Sequence, residues 1–421
     1  MFRFIHAADI HLDSPLRGLE SYENAPVQEL RQATRRAFEN MVSLAVSEAV
    51  AFVLIAGDLY DGDWQDYNTG LYFVSQMSRL KEAGIPVYMV AGNHDAQSKI
   101  TRTLRLPDNT VLFSAESPET HTLPRYDVAI HGQSYKTPSL QKNLIPDYPA
   151  PLPSHINIGL LHTCATGREG HEPYAPCTLN DLESKGYDYW ALGHVHQREV
   201  VLADPLAVFP GNIQGRHIRE TGPKGVMLVT VDDRGRPGAD FRALDVMRWV
   251  RVEIDLSALT SAHDAVDRAA TVLKETAAQH EGLPLAVRIG LMGTCRAHEQ
   301  LAGDPERWIN EIRSAALDVG GGLVWIEKVE FDTEAPFTAH ADDLHAGPIG
   351  ELLQYLDQVT DDPGEMAALV ESLEGIRGKL PRDLRQGPNA IPLDDTAWIA
   401  GLTRRIRPML VRRLMKKGHS E

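Results

Sequence analysis

The chain has 421 residues, 43% of them hydrophobic and 24% charged, a balance ordinary for folded globular domains and one that excludes collagen-like and intrinsically disordered classes. Its formal charge of −16, from 58 acidic against 42 basic residues, argues against blanket phosphate neutralisation, so a polyanionic substrate must be held locally. Three cysteines, Cys164, Cys177 and Cys295, are too few for a disulfide framework, and no stretch approaches the roughly 18 apolar residues of a membrane span.

Met1 to His6 enters an apolar run directly, without the basic and long apolar regions of a secretory signal, so a cytoplasmic location and no membrane contact are expected. Phe2–Ala8 reads as a strand ending in Asp9-Ile10-His11, and residues 27–50 read as a helix from apolar residues at three- and four-residue spacing. Ala51–Ala56 is a second strand, ending in Gly57-Asp58-Leu59-Tyr60-Asp61. A helix over 68–83, stopped by Gly84, leads to a third strand, Pro86–Ala91, which runs into Gly92-Asn93-His94-Asp95. Polar residues thus follow each strand end, as in α/β sheets that present a site at their carboxyl edge.

Beyond about residue 105 strands dominate: 110–113, 128–132, 156–161, 189–192, 199–202, 207–209 and 225–231. Two of them end in Leu161-His162-Thr163 and Gly193-His194-Val195-His196, and a polar loop from Gly211 to Glu220 carries Arg216, His217 and Arg219. The expected fold is α/β, a two-sheet αββα sandwich over residues 1–245. Residues 246–340 alternate strand, helix, strand, helix, strand, a small α+β unit expected to cap or shape the site. Residues 341–421 read as helical, and the last helix, 398–417, sets Arg404, Arg405, Arg407, Arg412, Arg413, Lys416 and Lys417 beside Leu402, Ile406, Leu410 and Leu414. That strip suits docking on a partner or nucleic acid and equally suits a surface helix packed on its own domain.

As ligands, Asp9, His11, Asp58, Asn93, His162, His194 and His196 supply two carboxylates, four imidazoles and an amide oxygen. With no thiolate, the set suits Mn²⁺, Fe or Zn²⁺. Seven ligands exceed the needs of one ion. With Asp58 bridging, they divide into Asp9, His11 and His196 on one ion and Asn93, His162 and His194 on the other. Two divalent ions about 3.5–4 Å apart activate water as hydroxide and clamp a phosphoryl group, chemistry suited to in-line hydrolysis of a phosphate ester. His94, next to a ligand, is the candidate general acid for the leaving alkoxide, with Asp95 expected to orient it. Arg216, His217, Arg219 and His171, the last in a Gly-rich loop after His162, are candidate substrate contacts. Any one motif is weak alone; five of them, each closing an apolar run, carry the reading.

Asp9-Ile10-His11, Gly57-Asp58, Gly92-Asn93-His94-Asp95, His162 and Gly193-His194-Val195-His196 resemble the five-motif signature of the calcineurin-like metallophosphoesterases. Ala7 to Leu12, Gly57 to Asp61 and Pro210 to Gly222 resemble the DNA repair exonuclease branch of SbcD and YhaO type. The resemblance is strong over about residues 1–245 and only architectural beyond. It implies an αββα sandwich, a dinuclear Mn²⁺ centre, a nuclease cutting DNA phosphodiesters, a cap domain, a C-terminal helical region that holds an SbcC-like coiled-coil ATPase, and a homodimer. Archaeal and eukaryotic members place a histidine three residues after the bridging Asp; this chain has Asp61, so no phosphate-rotating histidine carries over there. Two other readings compete: a phosphodiesterase or phosphatase acting on a small nucleotide or phosphoprotein, and a scaffold subunit with a vestigial site.

Overall fold

A computed structural model of the chain describes residues 1–14, 26–61, 67–97, 105–165, 174–280, 282–319, 321–336, 347–380, 382–385, 390–403 and 406. The first half alternates β1 (Phe2–Ala7), α1 (Val27–Ser47), β2 (Phe52–Ala56), α2 (Tyr67–Glu82), β3 (Val87–Val90) and α3 (Asn93–Gln97). Strands follow: β4 (Thr110–Leu112), β5 (Glu119–Leu123), β6 (Val128–Gly132), β7 (Ile156–His162), β8 (Tyr189–Gly193), β9 (Glu199–Ala203), β10 (Leu206–Phe209), β11 (Gly225–Val231) and β12 (Pro237–Ala243). They form two six-stranded sheets, β12-β11-β1-β2-β3-β4 and β5-β6-β7-β8-β10-β9.

Residue alternation explains the layering. In β2, Phe52, Leu54 and Ala56 face the second sheet, where they meet Val128, Ile130, Ile158, Leu160, Tyr189 and Val208. Val53 and Ile55 face outward onto α1 and α2 through Phe38, Met41, Phe73 and Met77. Both faces are covered, so β2 is buried throughout and reads as an unbroken apolar run. The outer face of the second sheet, with Trp190, Leu192 and Phe209, is covered by Tyr148, Leu182 and Tyr187. The αββα expectation holds. Two strands went unread. Strand β5 is the polar run ETHTL and β12 opens Pro-Gly; each lies at a sheet edge, where pairing on one side overrides weak propensity.

Strands β1 to β4 run parallel, as do β6, β7, β8 and β10. Parallel strands end at one rim, so Asp9, Asp58 and Asn93 follow the ends of β1, β2 and β3, while His162 ends β7 and His194 follows β8. His6 joins the sheets between the layers: its Nε2–H donates to the Leu192 carbonyl at 3.1 Å and its Nδ1 accepts from the Tyr189 hydroxyl at 2.9 Å. Burial pushes this imidazole down to about 3, so it is neutral, as that donor and acceptor pattern requires.

The chain divides into two compact units: residues 1–252, 269–290 and 311–330, and residues 253–268, 291–310 and 331–421. Strands β13 (Arg248–Asp255), β14 (Leu285–Thr294) and β15 (Val324–Glu334) form a sheet in that order. In the smaller unit, Val359, Met366 and Ile399 make a core with Leu369, Val370 and Leu373, drawn from helices Gly347–Asp361 and Pro363–Arg377 and the helical residues 396–403. Of the helix expected over 398–417, residues beyond 403, apart from 406, lie outside the described residues, and so do its arginines and lysines. Among the described residues no helix is long and apolar enough to cross a membrane.

Phe52 stacks on Phe4 at 4.7 Å and 13° between the sheets. Phe52→Ala should therefore cost about 3–5 kcal/mol, the range for large buried aromatic truncations, measured by urea unfolding; a loss near zero would contradict this packing.

Candidate metal centre

The loops after β1 and β2 are zipped together beyond the sheet: Asp9 N–H donates to Gly57 O at 3.0 Å, His11 N–H to Asp58 O at 3.0 Å and Leu12 N–H to Leu59 O at 2.8 Å. The turns are sharp. Asp9, His11, Asp58 and His194 all adopt left-handed backbone, with φ of 50°, 48°, 52° and 106°, a region most side chains avoid. Two glycines permit the close approach. A Cβ on Gly92 would collide with the Asp58 carboxylate and the His162 ring, and one on Gly193 with the Ala56 carbonyl.

Two groups of side chains result. Ligand-capable atoms of Asp9, His11 and His196 lie within 4.8 Å of one another, as do those of Asp58, His162 and His194. Asn93 joins the second group, its Oδ1 3.0 Å from His162 Nε2. Asp58 stands between them: its Oδ2 is 3.5 Å from His162 Nε2 and 4.0 Å from His11 Nε2. Its other oxygen accepts the His94 N–H at the start of α3, at 3.0 Å. The backbone N–H of His194 donates to both oxygens of Asp9, at 3.1 and 3.0 Å. The structure therefore brings all seven residues together, in two groups that meet at Asp58.

A divalent ion fits what these side chains lack. His162 donates Nδ1–H to the Ala56 carbonyl at 2.9 Å, and burial pushes it down to about 3, so its Nε2 carries a lone pair. That lone pair faces the Asn93 amide oxygen. His196 donates Nδ1–H to Glu220 at 2.7 Å, leaving Nε2 to face His11 Nε2 at 3.2 Å. Acceptor faces acceptor at His162 and Asn93, and His196 turns a bare nitrogen toward His11. Asp9 and Asp58 are both buried, and each carboxyl is raised above the usual range, first by burial; the charge of Asp58 adds to the effect at Asp9. A cation in each group would satisfy facing lone pairs and buried carboxylates at once.

The partner of His94 is Asp61, not Asp95. His94 Nδ1 lies 3.0 Å from Asp61 Oδ1, and the ring is 39% exposed. Burial pulls this imidazole down, but the Asp61 hydrogen bond and the charges of Asp58 and Asp61 outweigh it, and the net shift is upward. Asp61 also accepts from Ser14 Oγ at 2.6 Å. It is held well below the usual carboxylate range: burial opposes this, but the His11 ring 3.7 Å away and the hydrogen bonds from His94 and Ser14 prevail. His11, Asp61 and His94 also lie within 4.8 Å of one another, so Asp61 links His94 to the first ligand group. Asp95 instead accepts three backbone N–H groups, from Leu59 at 3.2 Å, Tyr60 at 2.9 Å and Gly92 at 3.1 Å, and so braces the second loop against the third. The expected role fails because the first turn of α3 carries Asp95 back under the loop.

The loop after residue 210 departs from expectation too. Arg216 turns inward, its Nη2 2.9 Å from Glu220 Oε1 and its Nη1 3.9 Å from Asp61, so its charge is committed within the protein. His217 is 53% exposed, 3.6 Å from Glu220, and Arg219 is exposed. His171 lies outside the described residues. The sequence reading missed Glu220 and, as a working residue, Asp61. Asp61 was discoverable, three residues past Asp58 in one motif. Glu220 was not, because it reaches His196 from 24 residues along the chain.

Removing the Asp95 carboxylate would leave three buried N–H groups without an acceptor, each costing about 1–3 kcal/mol. Asp95→Ala should therefore lower the thermal midpoint far more than Asp61→Asn. Equal melting of the two variants would contradict the bracing role.

Comparison with known proteins places this geometry among relatives. The family model described as "Calcineurin-like phosphoesterase" matches residues 2–198, and that described as "Metallophosphoesterase YhaO, middle domain" matches residues 249–334. The chain is similar to "Uncharacterized metallophosphoesterase YhaO" of Bacillus subtilis (strain 168), 36% identical over 79% of this chain and 82% of that protein. It is also similar to "DNA double-strand break repair protein Mre11" of Sulfurisphaera tokodaii, 27% identical over 48% of this chain and 51% of that one. The protein of the same name in Methanopyrus kandleri is 28% identical over 59% of this chain and 58% of its own. With these two the match spans little more than half their length.

Proposed function

The chain belongs to the calcineurin-like metallophosphoesterases, of the YhaO kind, and from that premise we propose that it is a metal-dependent DNA nuclease of the repair type. The observation that carries the reading is the pair of ligand groups joined at Asp58, with His94 beside them. We assign Asp9, His11 and His196 to one ion and Asn93, His162 and His194 to the other, most simply Mn²⁺ for this oxygen and nitrogen donor set, with Fe or Zn²⁺ as alternatives. Divalent ions held there would supply charge neutralisation at a phosphoryl group and would lower the pKa of water toward neutrality.

The protein's own groups do the rest. His94 carries the proton for the leaving oxygen: with Nδ1 held by Asp61, Nε2–H is the donating atom, and the Asp61 carboxylate stabilises the imidazolium that precedes transfer. The products are an alcohol and a phosphate monoester. DNA as substrate is supported by the likeness to the two archaeal proteins whose names carry DNA double-strand break repair. A coiled-coil ATPase partner of the SbcC kind and a homodimer belong to the same proposal. Tyr355, Ile376 and Trp398, exposed by 58%, 54% and 36% on the C-terminal helices, are apolar groups such a partner would cover. The charge of −16 favours the second reading, a phosphodiesterase for small substrates that need no extended phosphate contact.

Purified protein treated with chelator should lose activity and regain it on adding Mn²⁺. Offered single- and double-stranded DNA beside bis-p-nitrophenyl phosphate, with the ATPase partner supplied, it should cut DNA; ester cleavage without DNA cleavage would favour the small-substrate reading. His94→Gln should retain two bound ions yet lower the rate about 10²–10⁴-fold, the contribution of a positioned acid. Adding Asp61→Asn should then cost little more, because the two residues act as one unit. Full additivity would contradict the pairing.

A further inference from the structure

We propose that Glu220 is a positioning residue, and that through it the ion site of Asp9, His11 and His196 depends on a loop fastened to the start of β13, while the site of Asn93, His162 and His194 does not. The proposal rests on the dinuclear assignment above and concerns what holds each half of it.

The two halves are supported differently. His162 is oriented by a main-chain carbonyl, Ala56 O at 2.9 Å, at the end of the central strand β2. His196 is oriented by a side chain. Glu220 is 4% exposed, and its Oε1 takes the His196 Nδ1–H at 2.7 Å. Its Oε2 accepts Asn212 Nδ2 at 3.0 Å and the Arg216 N–H at 2.8 Å. Arg216 Nη2 also lies 3.2 Å from His196 Nδ1. Were it the donor there, the proton would sit on Nε2 and that face would be lost to a metal. The carboxylate decides otherwise, because it can only accept, and at 2.7 Å it would face a lone pair if Nδ1 carried no proton.

The loop that presents Glu220 is anchored from the start of β13 and the two residues before it. Gln214 Nε2 donates to Met247 O at 2.7 Å, and its Oε1 accepts the Val246 N–H at 2.9 Å. Trp249 Nε1–H donates to Gly215 O at 3.2 Å, and the Gly222 N–H returns to Trp249 O at 3.2 Å. Past the loop, the buried ammonium of Lys224 holds the His196 carbonyl at 2.9 Å. Ring and backbone of His196 are thus gripped from residues 211–224, and residues 246–249 fix that stretch. A shift of β13 would reach one ion and leave the other.

The test uses the full-length chain and Mn²⁺ alone, titrated calorimetrically and counted by elemental analysis. Wild type should take up two ions. In Glu220→Gln one of the two affinities should fall about 10–100-fold, the usual effect of losing the partner of a ligating histidine, with the other unchanged. Trp249→Phe should weaken the same site by a smaller factor. Imidazole ¹⁵N spectra of the metal-free wild type, assigned with His196→Gln, should show the Nδ1–H tautomer at His196, and they decide the matter should Glu220→Gln fail to fold. Unchanged uptake in Glu220→Gln, equal weakening of both sites, or an Nε2–H tautomer would overturn the proposal alone. A wild type that binds no Mn²⁺ overturns the dinuclear assignment and this proposal with it.

Discussion

The carbonyl of Ala56, at the end of β2, is the point on which the site depends. It accepts the ring proton of His162 from the opposite sheet and lies so close to Gly193 that any side chain there would strike it. His6 makes the matching tie one strand over, to the carbonyl of Leu192. These contacts fix the carboxyl ends of β1, β2, β7 and β8 against one another across an apolar layer that has no specificity of its own. Hydrophobic packing explains why the sheets meet; the polar ties explain why they meet in the one offset that faces Asp9 toward His196 and Asn93 toward His162.

Once the rim is set, charge becomes the governing constraint. Two buried carboxylates, with lone pairs opposed to lone pairs, are costly unless something cationic enters. The protein keeps its own cation away from that duty. Arg216, the arginine drawn into the site, is directed at Glu220 and Asp61 instead. The protons of His162 and His196 are disposed in the same spirit, turned outward to Ala56 and Glu220 so that the inward nitrogen is bare.

What the sequence discloses follows from how far each effect reaches along the chain. The ligands close parallel strands that are mostly apolar, so Asp9, Asp58, Asn93, His162 and His194 stand out as polar residues at the ends of apolar runs. The αββα layering is visible for the same reason, through the alternation that sends Phe52 one way and Val53 the other. Edge strands β5 and β12 are invisible because their partners, not their residues, make them strands. Asp95 was misassigned because adjacency along the chain was read as adjacency in space, and one turn of helix undoes that. The tie from Arg216 to Glu220 is invisible because it depends on how the loop closes, which no local pattern records.

The left-handed backbone at Asp9, His11, Asp58 and His194 bears on how such a site can be interrogated. Aspartate and histidine are among the few side chains that tolerate this region, so at these four positions donor chemistry and chain reversal select the same residue types. An alanine placed there removes a donor and also disfavours the turn, and the measured loss mixes the two. Asn93, His162 and His196 have no such backbone demand. Substitutions at those three report on the donor atoms themselves, which makes them the cleaner gauge of what an ion gains from this protein.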